Sequence, residues 1–463
     1  MNTLLDYSEH LGASAGKHRR CSYDSALSAS VIYKIWLRSF TAEGTIRAAS
    51  ERLPEVADLG VSWLLVSPFL KPSPDTTSSP GSKAAESTQS HTAPNPYGIA
   101  DFEAVDPEFG TWGDWRRFVD TAHRLGMKAM MEVVFTHSGT RCGLLEYPGF
   151  YRLDDRGNPL LGECGFPLFD FKSDKLRAYL IARLCQWVSD DHVDGFSCVR
   201  SSEVPVDFWK KARVTLEERN PQVVMLGDGT PEEMNGVFDL GYDKCYYSSI
   251  LSAVTDGQPA IVVHRAWEDV QAGMPEGSLM VRSNEDVGTE RADLALGEGG
   301  AEATDVLACL LDGVPLFMNG QEIGDATPIN VTSAQTIRWD SGSFVASNFR
   351  ARPRRKLFRQ LLELRKENAC LNRGEVVWLD NDQQESVLSF VRQHDGRKML
   401  VVINLSNRSL QVSLDTSLKP FNRLFDLVRG CPRSSVLGYG RPTFMLEAYA
   451  YIVGEPMSQR ACI

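Results

Sequence analysis

Short hydrophobic runs alternate with amphipathic stretches through most of the chain. Continuous apolar strands that alternate with helical segments, such as Asp174–Ser189 and Phe208–Arg219, indicate a parallel sheet buried on both faces. Eight such units fit a closed barrel better than an open sheet, and barrels of this kind need about 250 residues before insertions. The pattern therefore predicts an α/β fold, a (β/α)8 TIM barrel, over residues 31–370. The eight predicted strands are Val31–Leu37, Val61–Ser67, Met127–Phe135, His192–Ser197, Val223–Gly227, Val237–Gly241, Ser278–Arg282 and Val314–Met318.

Four segments interrupt or flank this pattern. Residues 1–30 lack periodicity and are predicted to form a loosely docked N-terminal arm. Residues 71–94 are rich in Ser, Thr, Pro and Gly, which is typical of a mobile surface loop. Residues 138–170 predict a small subdomain inserted after the third strand. Residues 371–463 carry alternating strands with turn signals, so we expect a C-terminal antiparallel β-sandwich domain.

The length and net charge of the chain limit the number of domains, the partners and the cellular compartment to be expected. A chain of 463 residues exceeds one ordinary core, and two or more domains are expected. A net charge of -11 argues against nucleic acid or anionic membranes as partners. The sequence shows neither the charged and apolar pattern of a secretory signal nor an apolar run long enough to span a bilayer. These features favour a cytoplasmic protein.

The ten cysteines are scattered and form no CxxC pair, so no zinc site, redox motif or cofactor is expected. Cys142 and Cys164 lie in the same predicted subdomain and are the pair with the best opportunity to bond. Two reduced thiols remain the favoured interpretation for a cytoplasmic chain.

Several segments in order carry a resemblance to the α-amylase family, glycoside hydrolase family thirteen. The resemblance covers nearly the whole chain and implies a retaining glycosidase fold. Such an enzyme uses one carboxylate as nucleophile and a second carboxyl group as general acid, about 5–5.5 Å apart. The family also uses a third carboxylate on the sugar hydroxyls and an arginine beside the nucleophile. The matching segments are Asn95–Trp115, Gly126–His137, Val193–Phe196, Val223–Asp228, Val281–Asp286, Gly313–Gly324 and Leu361–Val376.

The fourth predicted strand departs from this family at two positions where the strand ends. Family members read Gly-Phe-Arg-x-Asp there, and this chain places Ser197 at the arginine position and Val199 at the nucleophile position. The adjacent Asp194–Phe196 fixes the count, and alternation along a strand directs both side chains the same way. Valine has no lone pair and no titratable proton, so it cannot form a glycosyl-enzyme intermediate. We therefore expect Val199 to be a packing residue.

The other expected acidic positions have also changed. Asp228 stands where the resemblance implies the general acid glutamate, and it is either a weak acid or a residue that caps the next loop. The fourth signature reads Asn284-Glu285-Asp286 instead of Asn-His-Asp, so Asp286 keeps the third carboxylate and Glu285 replaces a sugar-binding histidine. Adjacent acids in an apolar mouth would repel and raise one pKa, although a solvated acidic loop is the simpler interpretation.

Other sugar contacts of the family are kept in part. His137 and Tyr97 stand at positions that the resemblance assigns to sugar hydrogen bonding and stacking. Asparagine of the first signature is replaced by Thr136, which weakens a calcium site, and no metal is expected. The aspartate that accompanies the tyrosine is replaced by Gly98. Asn284, Glu285, Tyr97 and His137 are thus the candidate substrate-binding residues.

The sequence leads to two alternative hypotheses about function. The clustered losses favour an inactive amylase-like protein that binds an α-glucan or maltooligosaccharide, or acts as a scaffold or regulator with a protein partner. The alternative is an atypical α-glucan hydrolase or transglycosylase that uses Asp228 with Asp286, Glu285 or Glu132. A membrane-linked transporter subunit is set aside, because the sequence contains no membrane span.

Overall fold

The computed structural model describes most of the chain. The described residues are 24–74, 93–332, 334–339, 347–415, 419–438 and 441–457. Most of the predicted arm and of the predicted mobile loop lie outside these ranges. The part of the arm that is described ends in a short helix, Asp24–Ser28, and the side chain of Leu27 is buried.

A closed barrel of eight parallel strands confirms the predicted fold. The strands follow one another around the barrel in the order β1, β2, β5, β6, β7, β8, β9 and β10, and β10 pairs with β1. Strands β3 and β4 form a separate antiparallel hairpin. The strands of this part are β1 (Ile32–Ile35), β2 (Trp63–Val66), β3 (Leu70–Pro72), β4 (Ile99–Val105), β5 (Lys128–Val134), β6 (Gly195–Val199), β7 (Val224–Gly227), β8 (Leu240–Tyr242), β9 (Leu279–Arg282) and β10 (Val314–Met318).

Helices cover the outside of the barrel. Several begin at side chains that cap free backbone N–H groups; Thr111, for example, forms a capping box with Asp114 at the start of α4. The helices are α1 (Asp24–Ser28), α2 (Leu37–Phe40), α3 (Ile46–Ala57), α4 (Trp112–Arg124), α5 (Asp174–Ser189), α6 (Val206–Arg219), α7 (Pro231–Met234), α8 (Lys244–Thr255), α9 (Ile261–Gly273), α10 (Ala292–Ala295), α11 (Gly297–Leu310), α12 (Ser347–Glu367) and α13 (Ala369–Asn372).

Alternation along the strands divides the apolar side chains into two layers. On β2, for example, Trp63 and Leu65 belong to the cluster inside the barrel, whereas Leu64 and Val66 pack against the helices. Leu27 joins the inner cluster and packs with Ile32 of β1. The inner side chains fill the barrel, so polar chemistry is confined to its ends.

The segment predicted as a subdomain after the third barrel strand is largely irregular and contains one 3-10 helix, Gly143–Glu146. It is held by isolated antiparallel bridges, among them His137–Leu168 and Leu161–Pro167. Cys142 is buried and Cys164 is half-buried, and both are free thiols. The pairing considered from the sequence is therefore wrong.

The C-terminal residues form two antiparallel sheets with a shared apolar core, as predicted. One sheet has the order β11-β13-β14-β20-β16-β17, and the other has the order β12-β15-β19-β18. Arg392 fixes this domain to the barrel, because its guanidinium donates to the carbonyl oxygen of Leu310 in α11. The strands are β11 (Glu375–Trp378), β12 (Asp380–Asn381), β13 (Val387–His394), β14 (Arg397–Asn404), β15 (Leu410–Asp415), β16 (Arg423–Asp426), β17 (Cys431–Ser434), β18 (Val436–Gly438), β19 (Arg441–Leu446) and β20 (Tyr451–Pro456).

None of the helices in the described ranges combines the length and apolar character needed to cross a membrane.

Gly195 is expected to be essential to the packing of β6. A Cβ added there would lie 2.6 Å from the carbonyl oxygen of Val224 on the neighbouring strand. Gly195→Ala should therefore lower the free energy of unfolding by about 1–3 kcal/mol, as overpacking does. Gly143→Ala is the matched control, because no atom lies within 4 Å of the added Cβ. Urea unfolding of both variants measures the difference, and equal stabilities would contradict this account of β6.

Candidate functional site

A pocket of about 370 Å³ opens at the carboxyl ends of the barrel strands. This is the end of the barrel at which side chains from several strands and the following loops converge. It is lined by Lys34, Tyr97, Glu132, Ser197, Cys198, Val199, Arg200, Asp228, Tyr242, Asp243, Lys244, Tyr247, Ser248, Val281, Ser283, Glu285, Asp286, Val287 and Thr289.

Strand β6 delivers both altered family positions to this pocket. Ser197 pairs in register with Glu132 of β5, and Val199 pairs with Val134 two residues further on. The two side chains share one face of the strand, and both lie in the pocket lining. The position expected to hold an attacking carboxylate therefore presents the hydrocarbon of Val199 to the pocket.

A lysine that the sequence analysis did not single out lines the pocket. The ammonium of Lys34, on β1, lies 3.0 Å from Asp286 Oδ1 and 3.4 Å from Glu132 Oε2. The Tyr97 hydroxyl donates to Glu132 Oε1 at 3.2 Å. Only 3% of the Lys34 and Glu132 side chains is exposed, against 43% for Asp286. The ammonium of Lys34 thus forms ion pairs with two carboxylates that come from opposite sides of the barrel.

The charges of this group stabilise one another. Burial opposes the charged form of Lys34, but Asp286 and Glu132 outweigh it and hold the pKa of the ammonium well above its usual value. Burial raises the pKa of Glu132, and the charge of Lys34 partly offsets that effect. Lys34 therefore stays protonated at neutral pH and cannot serve as a nucleophile or general base.

Asp228 is held as a carboxylate. It accepts hydrogen bonds from the backbone N–H of Ser202 at 3.1 Å and from its hydroxyl at 2.6 Å, and Lys244 Nζ lies 3.2 Å away. Burial alone would raise the pKa of Asp228, but these donors outweigh it and the pKa is lowered. A general acid must carry its proton near the working pH, so this environment is the opposite of what proton donation requires.

Glu285 belongs to a buried ion pair rather than to a solvated loop, so that interpretation was wrong. Its Oε1 lies 3.0 Å from the guanidinium of Arg291, and Oε2 accepts from the N–H of Ala292 at 2.6 Å. Burial raises the pKa of Glu285, while Arg291 opposes the shift. The sequence analysis expected one of the two adjacent acids to have a raised pKa, and that of Glu285 is raised. The leading cause is burial and not repulsion from Asp286.

Asn284 lies outside the pocket lining, in a buried network behind β9. Its amide donates to Asp305 Oδ1 at 2.8 Å and to Thr304 Oγ1 at 2.8 Å, and its carbonyl oxygen accepts from Gln321 at 2.6 Å. All of its polar atoms are used within the protein. The structure thus places this candidate substrate-binding residue where it supports the strand.

His137 also lies outside the pocket lining, whereas Tyr97 lines it. The imidazole shares a hydrogen bond of 2.8 Å with Thr136 Oγ1, and its ring stacks on Phe166 with centroids 5.0 Å apart and planes 15° apart. Burial lowers the pKa of His137 to about 4, and the charge of Arg200 acts in the same direction. The side chain is therefore a neutral, covered ring at physiological pH.

The structure adds several residues that the sequence analysis did not single out. Tyr242, at the end of β8, and Tyr247, in α8, contribute aromatic surface to the pocket. Arg200 follows Val199 in a left-handed conformation (φ 53°) and lies 3.6 Å from Glu163 of the inserted segment. Of these residues, Lys34 could have been identified from the sequence, because a charged residue within an apolar strand is unusual. Among the described residues, no three or more His, Cys, Asp or Glu side chains form a candidate metal site.

Two domain families match parts of this chain. "Alpha amylase, catalytic domain" matches residues 17–147, and "Alpha amylase, C-terminal all-beta domain" matches residues 378–428. The alpha-amylase MalA of Haloarcula japonica is 27% identical over 335 residues, which cover 68% of this chain and 48% of that protein. The chain thus spans about half the length of this curated relative. The two matches lie in the barrel part and in the C-terminal β part of the chain, respectively.

Solved amylase structures share the fold. A noncanonic maltogenic alpha-amylase, AmyB from Thermotoga neapolitana, superposes with a TM-score of 0.80 at 23% identity, over 93% of this chain and all of AmyB. AmyP, crystallised in complex with maltose, superposes with a TM-score of 0.74 at 16% identity, over 95% of this chain and all of AmyP. These similarities show that the chain has the same fold as these amylases, a barrel followed by a C-terminal β domain.

Replacing Lys34 should destabilise the protein strongly. Lys34→Met leaves Glu132 buried without its cation, and breaking a buried pair costs about 3–5 kcal/mol. Lys244→Met is the matched control, because that lysine is 73% exposed and exposed pairs contribute about 0–1 kcal/mol. The free energies of unfolding at pH 7 measure both effects. The cost of Lys34→Met should shrink as the pH is lowered, because burial raises the pKa of Glu132 and the unpaired carboxylate takes up a proton more readily; equal costs for the two variants would refute the assigned role.

Acid should weaken the fold through His137. Its folded pKa of about 4 lies below the unfolded value of 6.5, so below pH 6.5 the unfolded chain binds a proton that the folded chain does not. The contribution is complete above pH 6.5 and is lost as the pH falls towards 4, to a total of roughly 3 kcal/mol. His137→Phe removes this loss while keeping a ring against Phe166. Urea unfolding between pH 7.5 and 4 should give the variant the shallower slope; parallel slopes would contradict the prediction.

Proposed function

We propose that this chain is a member of the α-amylase family that does not hydrolyse glycosides and binds an α-glucan in its pocket. The observation that carries the proposal is Val199 at the end of β6. A retaining glycosidase attacks the anomeric carbon with a carboxylate from that position, and valine offers no such group. Removing the nucleophile of a catalytic unit costs up to about 10⁶ in turnover in other enzymes.

The remaining acids of the pocket support the same proposal, because each is committed to a partner. Ser202 and Lys244 stabilise the charged form of Asp228 and lower its pKa, so this group lacks the proton that a general acid must give. Asp286 and Glu132 share the ammonium of Lys34. An attack by any of these groups would first have to break a buried ion pair or charge-assisted hydrogen bonds.

The pocket retains groups that suit a sugar. Tyr97 and Tyr242 offer ring faces, and the carboxylate of Asp286 is partly exposed and can accept from hydroxyl groups. The α-glucan class is supported by the relatives, which include amylases and AmyP in complex with maltose. A role without any ligand, as a scaffold for a protein partner in the cytoplasm, is the outcome to expect if no sugar binds.

Turnover should be undetectable. The purified protein, incubated with maltoheptaose and with p-nitrophenyl α-glucoside, is expected to release no product above a blank over a day at pH 5 to 8. Product release that is reproducible and is abolished by Asp228→Asn would overturn the proposal and favour the atypical hydrolase that uses Asp228 with Asp286, Glu285 or Glu132. Release that survives Asp228→Asn identifies a contaminating amylase.

Binding should be measurable and should depend on Tyr97. Calorimetric titration with maltotriose is expected to give saturable heat, and Tyr97→Ala should weaken the affinity about three- to tenfold, the range of a lost aromatic contact. Tyr147→Ala is the matched control, since that tyrosine is exposed and lies outside the pocket lining. The absence of heat from the wild-type protein would remove the α-glucan part of the proposal.

A further inference from the structure

The inserted segment, residues 138–170, concentrates exposed apolar side chains on the surface. Nine large hydrophobic side chains are exposed in the described ranges, and four of them belong to this segment, namely Tyr147, Leu153, Leu160 and Leu161. Leu153 and Leu161 are the most exposed of the four, at 59% and 56%. A single exposed leucine is ordinary on a protein surface, whereas a contiguous group marks a surface that another molecule covers.

The backbone of the segment places Leu153 and Leu161 next to each other. Leu153 forms an antiparallel bridge with Pro159, and side chains at bridged positions lie on the same side. Leu161 follows Pro159 by two residues and therefore points the same way. The N–H of Leu160 donates to the carbonyl oxygen of Arg152 at 2.7 Å, which holds these two lengths of chain side by side. Leu153, Pro159 and Leu161 thus form one apolar surface, which we call the hairpin patch.

The turn that joins these two lengths of chain is fixed by its own hydrogen bonds. Asp154 Oδ1 accepts from the N–H of Arg156 at 2.9 Å and from the N–H of Asn158 at 2.8 Å. The N–H of Asp154 donates in turn to the carbonyl oxygen of Asn158 at 2.8 Å. A preformed surface loses little conformational entropy when it binds, so the hairpin patch is ready for a partner without rearrangement.

The charges beside the hairpin patch favour a second copy of this chain as the partner. Residues 151–161 contain two arginines and two aspartates and so carry no net charge, in contrast to -11 for the whole chain. Arg152, Asp155 and Arg156 are exposed, and none of them forms a salt bridge with another residue that the structure describes. A two-fold contact brings a surface against itself, which allows the acids of one copy to meet the arginines of the other. A partner of one predominant charge would instead be repelled by half of these groups.

We propose that the hairpin patch is the contact of a two-fold dimer of this chain, in which Leu153 and Leu161 of each copy pack against those of the other. The inference is separate from the proposed function, because no residue of the segment 138–170 lines the pocket. The apolar part of the patch is small, and contacts of limited area are typical of weak association. The dimer should therefore dissociate on dilution, as any reversible association does.

Sedimentation velocity of this chain tests the dimer. Between about 1 and 200 µM, the wild-type protein should shift from the mass of one chain to that of two. Leu153→Glu combined with Leu161→Glu should keep the protein monomeric over this range, because the contact would then bury carboxylates in an apolar interface. The matched control combines Leu294→Glu with Met445→Glu, which adds the same two carboxylates at side chains that are 50% and 64% exposed elsewhere. Arg156→Glu should weaken the dimer by about tenfold or more, since the hairpin then carries more acids than bases.

The outcomes decide both the dimer and the surface assigned to it. Wild-type protein that stays monomeric at every concentration overturns the proposal and leaves the hairpin patch to a different protein. A dimer that survives the double variant at Leu153 and Leu161 overturns the assigned surface, and so does an equal loss of the dimer in the control variant. Thermal unfolding shows whether each variant is folded. If the double variant does not fold, Arg156→Glu, at an exposed position, decides in its place.

Discussion

The ion pairs of Lys34 hold the mouth of this barrel together. A single buried ammonium lies between Glu132, on β5, and Asp286, in the loop after β9. Burying a charge is costly unless it is paired. Here one ammonium forms ion pairs with two carboxylates, which reduces the repulsion between them. Position 197, where the resemblance to amylases implies an arginine, holds Ser197, and the positive charge beside these acids is that of Lys34 on β1. Both carboxylates turn towards the lysine, and this contact sets the arrangement of the pocket.

The same principle extends to the other acids of the mouth. The carboxylate of Asp228 pairs with Lys244 and accepts hydrogen bonds from Ser202, and the carboxylate of Glu285 pairs with Arg291. A catalytic pair of carboxyl groups works because its environment pushes the two pKa values apart, with one group protonated and the other charged. In this pocket the donors instead lower the pKa of Asp228, the group that would have to keep its proton. The charges of the pocket thus support the same proposal as Val199, which stands where the resemblance implies the nucleophile.

The sequence predicted what depends on local pattern and fixed spacing. All eight barrel strands were identified because short apolar runs alternate regularly with amphipathic stretches, and the Asp194–Phe196 run fixed the register that brings Ser197 and Val199 to the mouth. The partners of the acids could not be predicted, because Lys34 and Asp286 are separated by 252 residues and meet only when the barrel closes. The burial of Glu285 and the coverage of His137 by Phe166 likewise depend on packing between distant segments. Resemblance assigned roles to positions but could not show which side chains a neighbour had already engaged.

The changes at this site are mutually dependent, which bears on how the chain is interpreted. A side chain larger than that of Gly98 would overlap the ring of Phe166 in its present position, and the buried ammonium of Lys34 depends on the charges of Glu132 and Asp286. Active sites commonly keep unpaired charges and strained groups at a cost in stability, and a chain released from catalysis can replace them with paired and packed ones. A carboxylate introduced at Val199 would join a pocket whose lining already contains Glu132 and Asp286, both paired with Lys34. These paired and packed groups are what the proposed function expects of a pocket that holds a ligand without transforming it.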